Sequence, residues 1–165
     1  MNLRKTDGAG MDEFDAKILI LVQQDSRLTA EKLSDQVGLS PAACQKRLKK
    51  LRDRGAITKD ISVLSPEIAG GRITLIVEVS VERERPEILD EFKRLMQKCP
   101  EVMQCYYVTG NADFIVILTA KDMKDYEEFT REYFFQNSNI QRFRTNVVMD
   151  NVKVSLSIPI EIVDS

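Results

Sequence analysis

A very short turn between two predicted helices constrains this chain more than any other feature of its sequence. Thr29 stands where a helix is expected to begin, with apolar residues on either side in the pattern of a hydrophobic staple. Gly38 suits the left-handed position that ends such a helix. Ser40 and Pro41 then suit the N-cap and first position of a following helix. The chain must therefore reverse between two helices within two or three residues.

A further helix precedes this pair. Asp12 is placed to cap residues 13–24, where apolar residues recur at helical spacing. The stripe that this helix is expected to bury consists of Phe14, Ile18, Leu21 and Val22. The sequence thus predicts three helices that share one small core.

The third predicted helix, residues 41–54, has two different faces. Cys44, Leu48 and Leu51 form an apolar stripe. Between Gln45 and Arg54 there are six basic residues and one acidic residue, and most of them point away from that stripe. A basic helix face is usually just solvated. Behind two helices and a tight turn, however, it indicates a helix that enters the major groove of DNA.

Charge and composition limit the other classes of function. Residues 1–60 carry 12 Lys and Arg against 9 Asp and Glu, whereas residues 61–165 carry 12 against 17, so only the first part favours a polyanion. The chain has no histidine and no paired CxxC cysteines, which excludes Ser-His-Asp and Cys-His systems and argues against a zinc ribbon. Phosphate-binding glycine loops are absent too. We therefore expect no enzyme, no metal and no cofactor.

No apolar run is long enough to span a bilayer, and the first ten residues are polar. The sequence thus predicts a cytoplasmic protein without a membrane partner.

The second half of the chain has a different pattern of predicted elements, in which strands alternate with helices. Residues 57–64 are predicted to be extended, as a wing-like hairpin, and Pro66 with Gly70-Gly71 marks a linker. Beyond the linker the pattern is strand, helix, strand, strand, helix, strand, with one additional terminal strand. The predicted strands cover residues 73–81, 102–109, 114–120, 140–149 and 152–162, and the predicted helices cover residues 86–98 and a segment that Asp122 caps.

These patterns predict an α+β chain, in which an N-terminal winged helix-turn-helix precedes a ferredoxin-like split βαβ (βαββαβ) domain. One face of such a sheet is covered by its two helices, and the other is rich in Val and Ile, so we expect a homodimer formed through the sheet. The predicted divisions are a flexible leader 1–11, a DNA-binding domain 12–64, a linker 65–72 and an oligomerisation and effector-binding domain 73–165.

In this order, the motifs resemble the Lrp/AsnC family of regulators from about residue 12 to residue 162. The resemblance is carried by Asp12 to Leu19, Val37 to Pro41, Cys44 to Leu51, Gly55-Ala56-Ile57, Val108 to Asp113, and Val147 to Asp150. It implies a transcription regulator of amino-acid metabolism that assembles as dimers and often as octamers. It also implies an amino-acid effector bound between subunits.

Carried onto this chain, the resemblance implies effector contacts at Gly110, Asp113, Met123, Val147 and Val148. Asn111 stands where many members of the family have Asp, so the charge of this loop is expected to differ. Asp113 is expected to take the ammonium group, and backbone N–H groups around Gly110 the carboxylate.

We also predict the residues that meet DNA. Lys46, Lys49, Lys50 and Arg52 are expected at phosphates, and Arg47 at a phosphate or a base. Base edges are expected to be read by Gln45 at adenine and Lys46 at guanine, with the helix N-terminus at a phosphate. The full predicted set is Ser40, Pro41, Ala42, Ala43, Gln45, Lys46, Arg47, Lys49, Lys50 and Arg52.

Since a dimer presents two such helices, the operator is expected to be an imperfect palindrome of double-stranded DNA. Two alternatives stay open at this point. One is a nucleoid-associated architectural protein that wraps DNA with little sequence preference. The other is an enzyme or an enzyme-regulatory subunit built on the split βαβ domain.

Overall fold

The computed structural model of the chain describes residues 11–82 and 85–162, and the chain divides into two compact units. The first contains the residues up to Val63 together with those from Val154 onward, and the second runs from Leu64 to Lys153. The predicted leader, residues 1–11, lies outside the described residues except for Met11. None of the helices in the described ranges is long and apolar enough to cross a membrane.

The first unit consists of the three predicted helices. Their bounds are Glu13–Gln24 for α1, Ala30–Val37 for α2 and Pro41–Asp53 for α3. Their apolar stripes meet in one core. The buried residues of this core are Ile18, Leu19, Val22, Leu33, Val37, Cys44, Leu48 and Leu51.

Side-chain caps begin all three helices, as the sequence predicts. A side-chain oxygen of Asp12, Thr29 and Ser40 accepts a hydrogen bond from the backbone N–H three residues later. Gly38 ends α2 with a φ of 80°, in the left-handed region. The turn is also held by Ser34, whose hydroxyl donates to the carbonyl oxygen of Leu39 across 2.6 Å. These local bonds fix the path from α2 into α3.

The predicted wing is not formed. Residues 57–64 have no strand hydrogen bonds, and Ile61, Val63 and Leu64 are exposed. A strand needs a neighbour that pairs with its backbone N–H and C=O groups, and no other described segment of the first unit supplies one. The alternating pattern of residues 57–64 alone therefore does not produce a β-strand.

The second unit has the predicted split βαβ architecture. Its elements are a 3-10 turn Pro66–Ala69, β1 Ile73–Val81, α4 Pro86–Lys98, β2 Val102–Tyr107, β3 Phe114–Ala120, α5 Met123–Thr130, a π-helical turn Arg131–Phe135 and β4 Ile140–Val147. The four strands form one antiparallel sheet in the order β2-β3-β1-β4.

Alternation along the two central strands separates a core face from an open face. Leu75, Val77 and Val79 of β1 are fully buried. They pack with β3 and with the apolar faces of the helices, including Phe92 and Phe134. On the other face, side chains of β1, β3 and β4 are only half-buried or exposed; they include Ile76, Glu78, Ile115, Ile117 and Arg144. The sheet thus retains an uncovered, partly apolar face.

The predicted terminal strand, residues 152–162, is also absent. Residues 152–162 form no strand pairing with a described residue, and from Val154 onward they group with the first unit. The amide side chain of Gln23 bonds the backbone of Ile158 in both directions, at 2.8 and 3.2 Å. Ile160 packs against the core of the first unit. The grouping of the residues from Val154 with the first unit differs from the predicted boundary, which places residues 73–165 in one domain.

Candidate DNA-binding and effector sites

One exposed side of α3 carries four of the ten predicted DNA contacts. Ala42, Gln45, Lys46 and Lys49 stand at positions i, i+3, i+4 and i+7, so they form one stripe along the helix, and all four are exposed. A shallow concavity of about 510 Å³ lies along this stripe, bounded by Arg52 at its far end. Ala43 is half-buried on its flank. The small alanines leave the helix N-terminal turn open to close approach.

The lysines of α3, two on this stripe and Lys50 on its flank, carry uncompensated charge. Lys46, Lys49 and Lys50 are exposed, and none forms an ion pair with any residue in the described ranges. Three ammonium groups on one turn and a half of helix repel one another mildly. A polyanion placed against them would relieve that repulsion and release counterions.

The N-terminus of α3 adds a weaker anion site. Ser40 accepts a hydrogen bond from the N–H of Ala43 at 3.3 Å, so its own O–H remains able to donate. Pro41, at the first helical position, is exposed and has no N–H. The positive end of the helix dipole lies at the same place.

Arg47 does not lie with these lysines. Its Nη1 is 2.7 Å from a carboxylate oxygen of Asp12 and 2.9 Å from one of Asp15, and its guanidinium stacks 5.4 Å from the ring centre of Phe14. These bonds, above all the one to Asp15, raise the pKa of Arg47. Arg47 therefore joins α3 to the start of α1.

Two further arginines of this region are also engaged by acids. Arg52 lies 3.2 Å from Asp60, with both side chains partly exposed. Arg54 lies 3.7 Å from Asp15, which is only 4% exposed. The basic segment thus divides into three lysines that form no ion pair with a described residue and three arginines that form ion pairs within the first unit.

The hairpin between β2 and β3 places half of the predicted effector residues. Gly110 has a φ of 125°, which favours glycine, and Asn111 follows it at the exposed tip. Asp113 is half-buried: its Oδ2 accepts the N–H of Val81 at 2.7 Å, and its own N–H donates to Val79 at 3.0 Å. Asp113 therefore fastens the hairpin to β1 and keeps one carboxylate oxygen for other partners.

The other predicted effector residues lie at the opposite end of the sheet. Met123 begins α5 just beyond β3, Val147 pairs with Leu75, and the N–H of Val148 donates to Thr74. The seven residues of β3 separate these positions from the hairpin, which corresponds to about 20 Å. One chain does not bring the two groups together.

Family models match both units of the chain. The AsnC-type helix-turn-helix domain matches residues 11–52, and the Lrp/AsnC ligand binding domain matches residues 74–158, which is more than half of the chain. The chain belongs to the Lrp/AsnC family. It is a transcriptional regulator of this type, with a helix-turn-helix domain and a ligand-binding domain.

Similar proteins match this chain over most of their length. An uncharacterised helix-turn-helix transcriptional regulator of Sinorhizobium fredii is 55% identical over 152 residues, which is 92% of this chain and 90% of that protein. The leucine-responsive regulatory protein of Escherichia coli is 31% identical over 92% of this chain and 93% of its own. A transcriptional regulator of Neisseria meningitidis, solved as a complex with L-Met, is 31% identical with a TM-score of 0.84, over 90% and 96% of the two chains.

Within this Lrp/AsnC regulator, sequence reasoning missed one residue beside the predicted effector hairpin. Arg142 of β4 bonds the hairpin backbone at Asn111 across 3.2 Å. Its position depends on the register between β1 and β4, in which Ser80 pairs with Arg142. Strand register across the sheet is a long-range property, so the local pattern around Arg142 contained no signal for it.

The three cysteines of this regulator are packing residues. Cys44 and Cys99 are buried, and Cys105 is half-buried. Burial raises the pKa of Cys99 and of Cys105 to about 11, so both are protonated thiols at neutral pH. Among the described residues, no three acidic, cysteine or histidine side chains lie close enough to bind a metal ion.

Proposed function

We propose that this Lrp/AsnC regulator binds double-stranded operator DNA through the exposed stripe of α3 and responds to an amino acid bound by its second unit. The observation that carries the DNA-binding part is the separation of charges on α3. Its lysines are exposed and form no ion pair with a described residue, whereas Arg47, on the flank of the helix, pairs with Asp12 and Asp15. The ammonium groups that form no ion pair with a described residue are available to bind phosphates.

The proposed contacts follow from this geometry. Lys46, Lys49 and Lys50 meet phosphates, with Arg52 a weaker contributor because Asp60 competes for it. Gln45 and Lys46 face the base edges, where an amide pairs with adenine and an ammonium with guanine. Ser40 and Pro41 lie where the backbone of the duplex passes the helix N-terminus, and Ala42 and Ala43 allow close approach. Arg47 is left out of the contact set.

Binding at different salt concentrations tests this interface. The Lys46→Ala, Lys49→Ala double variant is expected to bind every duplex more weakly. It is also expected to reduce the slope of log affinity against log salt by about 1 to 2, because each lost phosphate contact removes about 0.9.

Lys121→Ala, Lys124→Ala is the matched control, since both lysines are exposed in the second unit and form no ion pair with a described residue. Equal affinities and slopes for the two double variants and the unaltered protein would refute the assignment.

The open face of the sheet supports assembly with a second copy. Ile76, Ile115 and Ile117 form its centre, and pairing with an identical face would bury them. A two-fold dimer presents two α3 helices, so selection of bound genomic fragments is expected to yield imperfect palindromes. Further assembly, to an octamer as in other members of the family, is part of the same proposal.

The placement of the effector residues supports a site shared between subunits. Gly110, Asn111 and Asp113 lie at one end of the sheet, and Met123, Val147 and Val148 at the other. A second subunit that brings its far end against the hairpin would join the two groups. Asp113 then binds the ammonium group of an amino acid, and the apolar side chains of Met123, Val147 and Val148 contact the side chain of that amino acid. Calorimetric titration of the oligomer with the twenty common amino acids tests this: no binding by any of them excludes amino acids as effectors.

An architectural role without an effector has less support, because a match to a ligand-binding domain covers residues 74–158. The two functions differ in selectivity. A regulator is expected to prefer its operator over random duplexes by about a thousandfold or more, whereas a wrapping protein would prefer it only a few-fold.

A further inference from the structure

Arg142 is fixed against the effector hairpin. Its Nε lies 3.4 Å from the hydroxyl oxygen of Ser80, and its Nη2 lies 3.2 Å from the carbonyl oxygen of Asn111. The Ser80 hydroxyl donates to the same carbonyl at 3.4 Å. The three groups form a closed set of hydrogen bonds, so the guanidinium has a defined orientation although its side chain is exposed.

This arrangement leaves one edge of the guanidinium unused. Arginine has five N–H donors arranged in two forks, and the fork of Nε and Nη2 is the one that faces Ser80 and Asn111. The outer fork, formed by Nη1 and the second hydrogen of Nη2, has the geometry that binds both oxygens of a carboxylate. No acidic side chain in the described ranges forms an ion pair with Arg142. A positive group is therefore held in place by neutral partners, without an acidic partner among the described residues.

Asp113 provides a negative group at the same hairpin. Its Oδ2 bonds the N–H of Val81, the residue next to Ser80, and its Oδ1 has no partner in the described part of the chain. The register of β1 against β4 shifts between Ser80 and Val81. Arg142 and Asp113 thus anchor the hairpin at two consecutive residues, on either side of an irregularity in the strand. They do not form an ion pair with each other.

An α-amino acid carries the complementary charges on neighbouring atoms. We propose that the outer fork of Arg142 binds the α-carboxylate of the effector, while Oδ1 of Asp113 accepts from its ammonium group. This inference rests on the proposed amino-acid response and names the group that recognises the carboxylate. It assigns to a side chain the role that sequence analysis gave to backbone N–H groups around Gly110.

The test compares each amino acid with its α-amide, which keeps the ammonium group but lacks the negative charge. Calorimetry on the full oligomer first identifies the tightest-binding of the twenty common amino acids. The unaltered protein is expected to bind this acid at least about tenfold more tightly than its amide, because a charged hydrogen-bonded pair is lost.

Arg142→Gln is expected to weaken binding of the acid at least about tenfold and to leave the amide nearly unchanged, so the ratio of the two affinities approaches one. Arg142→Lys keeps the charge but lacks the paired N–H donors of the guanidinium. Its ratio of acid to amide affinity is therefore expected to lie between those of Arg142→Gln and the unaltered protein. Arg144→Gln is the matched control, since Arg144 lies two residues further along β4, opposite Glu78 of β1 in the strand register, and forms no hydrogen bond with the hairpin among the described residues. It is expected to keep the ratio of the unaltered protein.

The outcomes separate the two proposals. If Arg142 only stiffens the hairpin, Arg142→Gln weakens acid and amide equally, and the inference is wrong while the amino-acid response stands. Should Arg142→Gln fail to fold, as judged by circular dichroism, Arg142→Lys decides by the same ratio: an unchanged ratio overturns the inference. If the unaltered protein binds none of the twenty amino acids, the proposed response itself fails, and the inference with it.

Discussion

At the scale of single residues, the most informative contact is the pairing of Arg47 with Asp12 and Asp15. A helical wheel places Arg47 on the flank of α3, where a DNA contact is plausible. The wheel describes one helix alone, however, and the start of α1 lies beside that flank in the folded unit. The sequence therefore identified the basic segment, but it did not show which of its side chains form ion pairs within the first unit and which stay exposed.

This pairing makes Asp15 important for stability. Its side chain is 6% exposed and lies against Arg47 and Arg54, so Asp15→Asn would leave two arginines without their shared buried anion. We expect the free energy of unfolding of the first unit to fall by about 1 to 3 kcal/mol, less than for a fully buried pair because both arginines are about one-third exposed.

Urea denaturation followed by circular dichroism measures this loss. Asp53→Asn, an exposed carboxylate on α3, is the control and is expected to change stability by less than about 0.5 kcal/mol. Equal stability of Asp15→Asn and the control would mean that the arginine contacts contribute nothing.

At the scale of elements, the helices were predictable and the strands only partly so. A helix satisfies its backbone within itself, so local signals such as the caps at Asp12, Thr29 and Ser40 define it. A strand depends on a neighbour. The alternation in β1 and β3 produced strands because each pairs with the other, whereas the alternating segments at 57–64 and 152–162 find no strand partner among the described residues.

Gly38 lies in the tight turn between α2 and α3, and its substitution is expected to lower the stability of the first unit. A Cβ at this position would meet no atom within 4 Å, so Gly38→Ala is penalised only by its φ of 80°. We expect a loss of about 1 kcal/mol in the free energy of unfolding of the first unit.

Gly38→Asn is the matched variant, because Asn tolerates the left-handed region better, and it is expected to lose about half as much. Thermal unfolding of both variants measures the difference. If Ala were as stable as Gly here, the left-handed turn would not be required in solution.

At the scale of the whole molecule, the sequence predicted the two-part organisation but not where the last residues belong. The segment from Val154 joins the first unit through Gln23 and Ile160. Such a return over more than 130 positions has no local signature. The effector residues illustrate the same limit, because only the sheet register shows that the hairpin and Val147 lie at opposite ends.

The central claim is that the unpaired lysines of α3 form the DNA interface of this regulator. Lysine acetylation of the full protein, with and without a genomic fragment that it selects, measured by mass spectrometry, tests this most directly. We expect DNA to protect Lys46, Lys49 and Lys50, and to leave Lys121 and Lys124 as reactive as before. Protection of the second-unit lysines with unchanged reactivity on α3 would contradict the account.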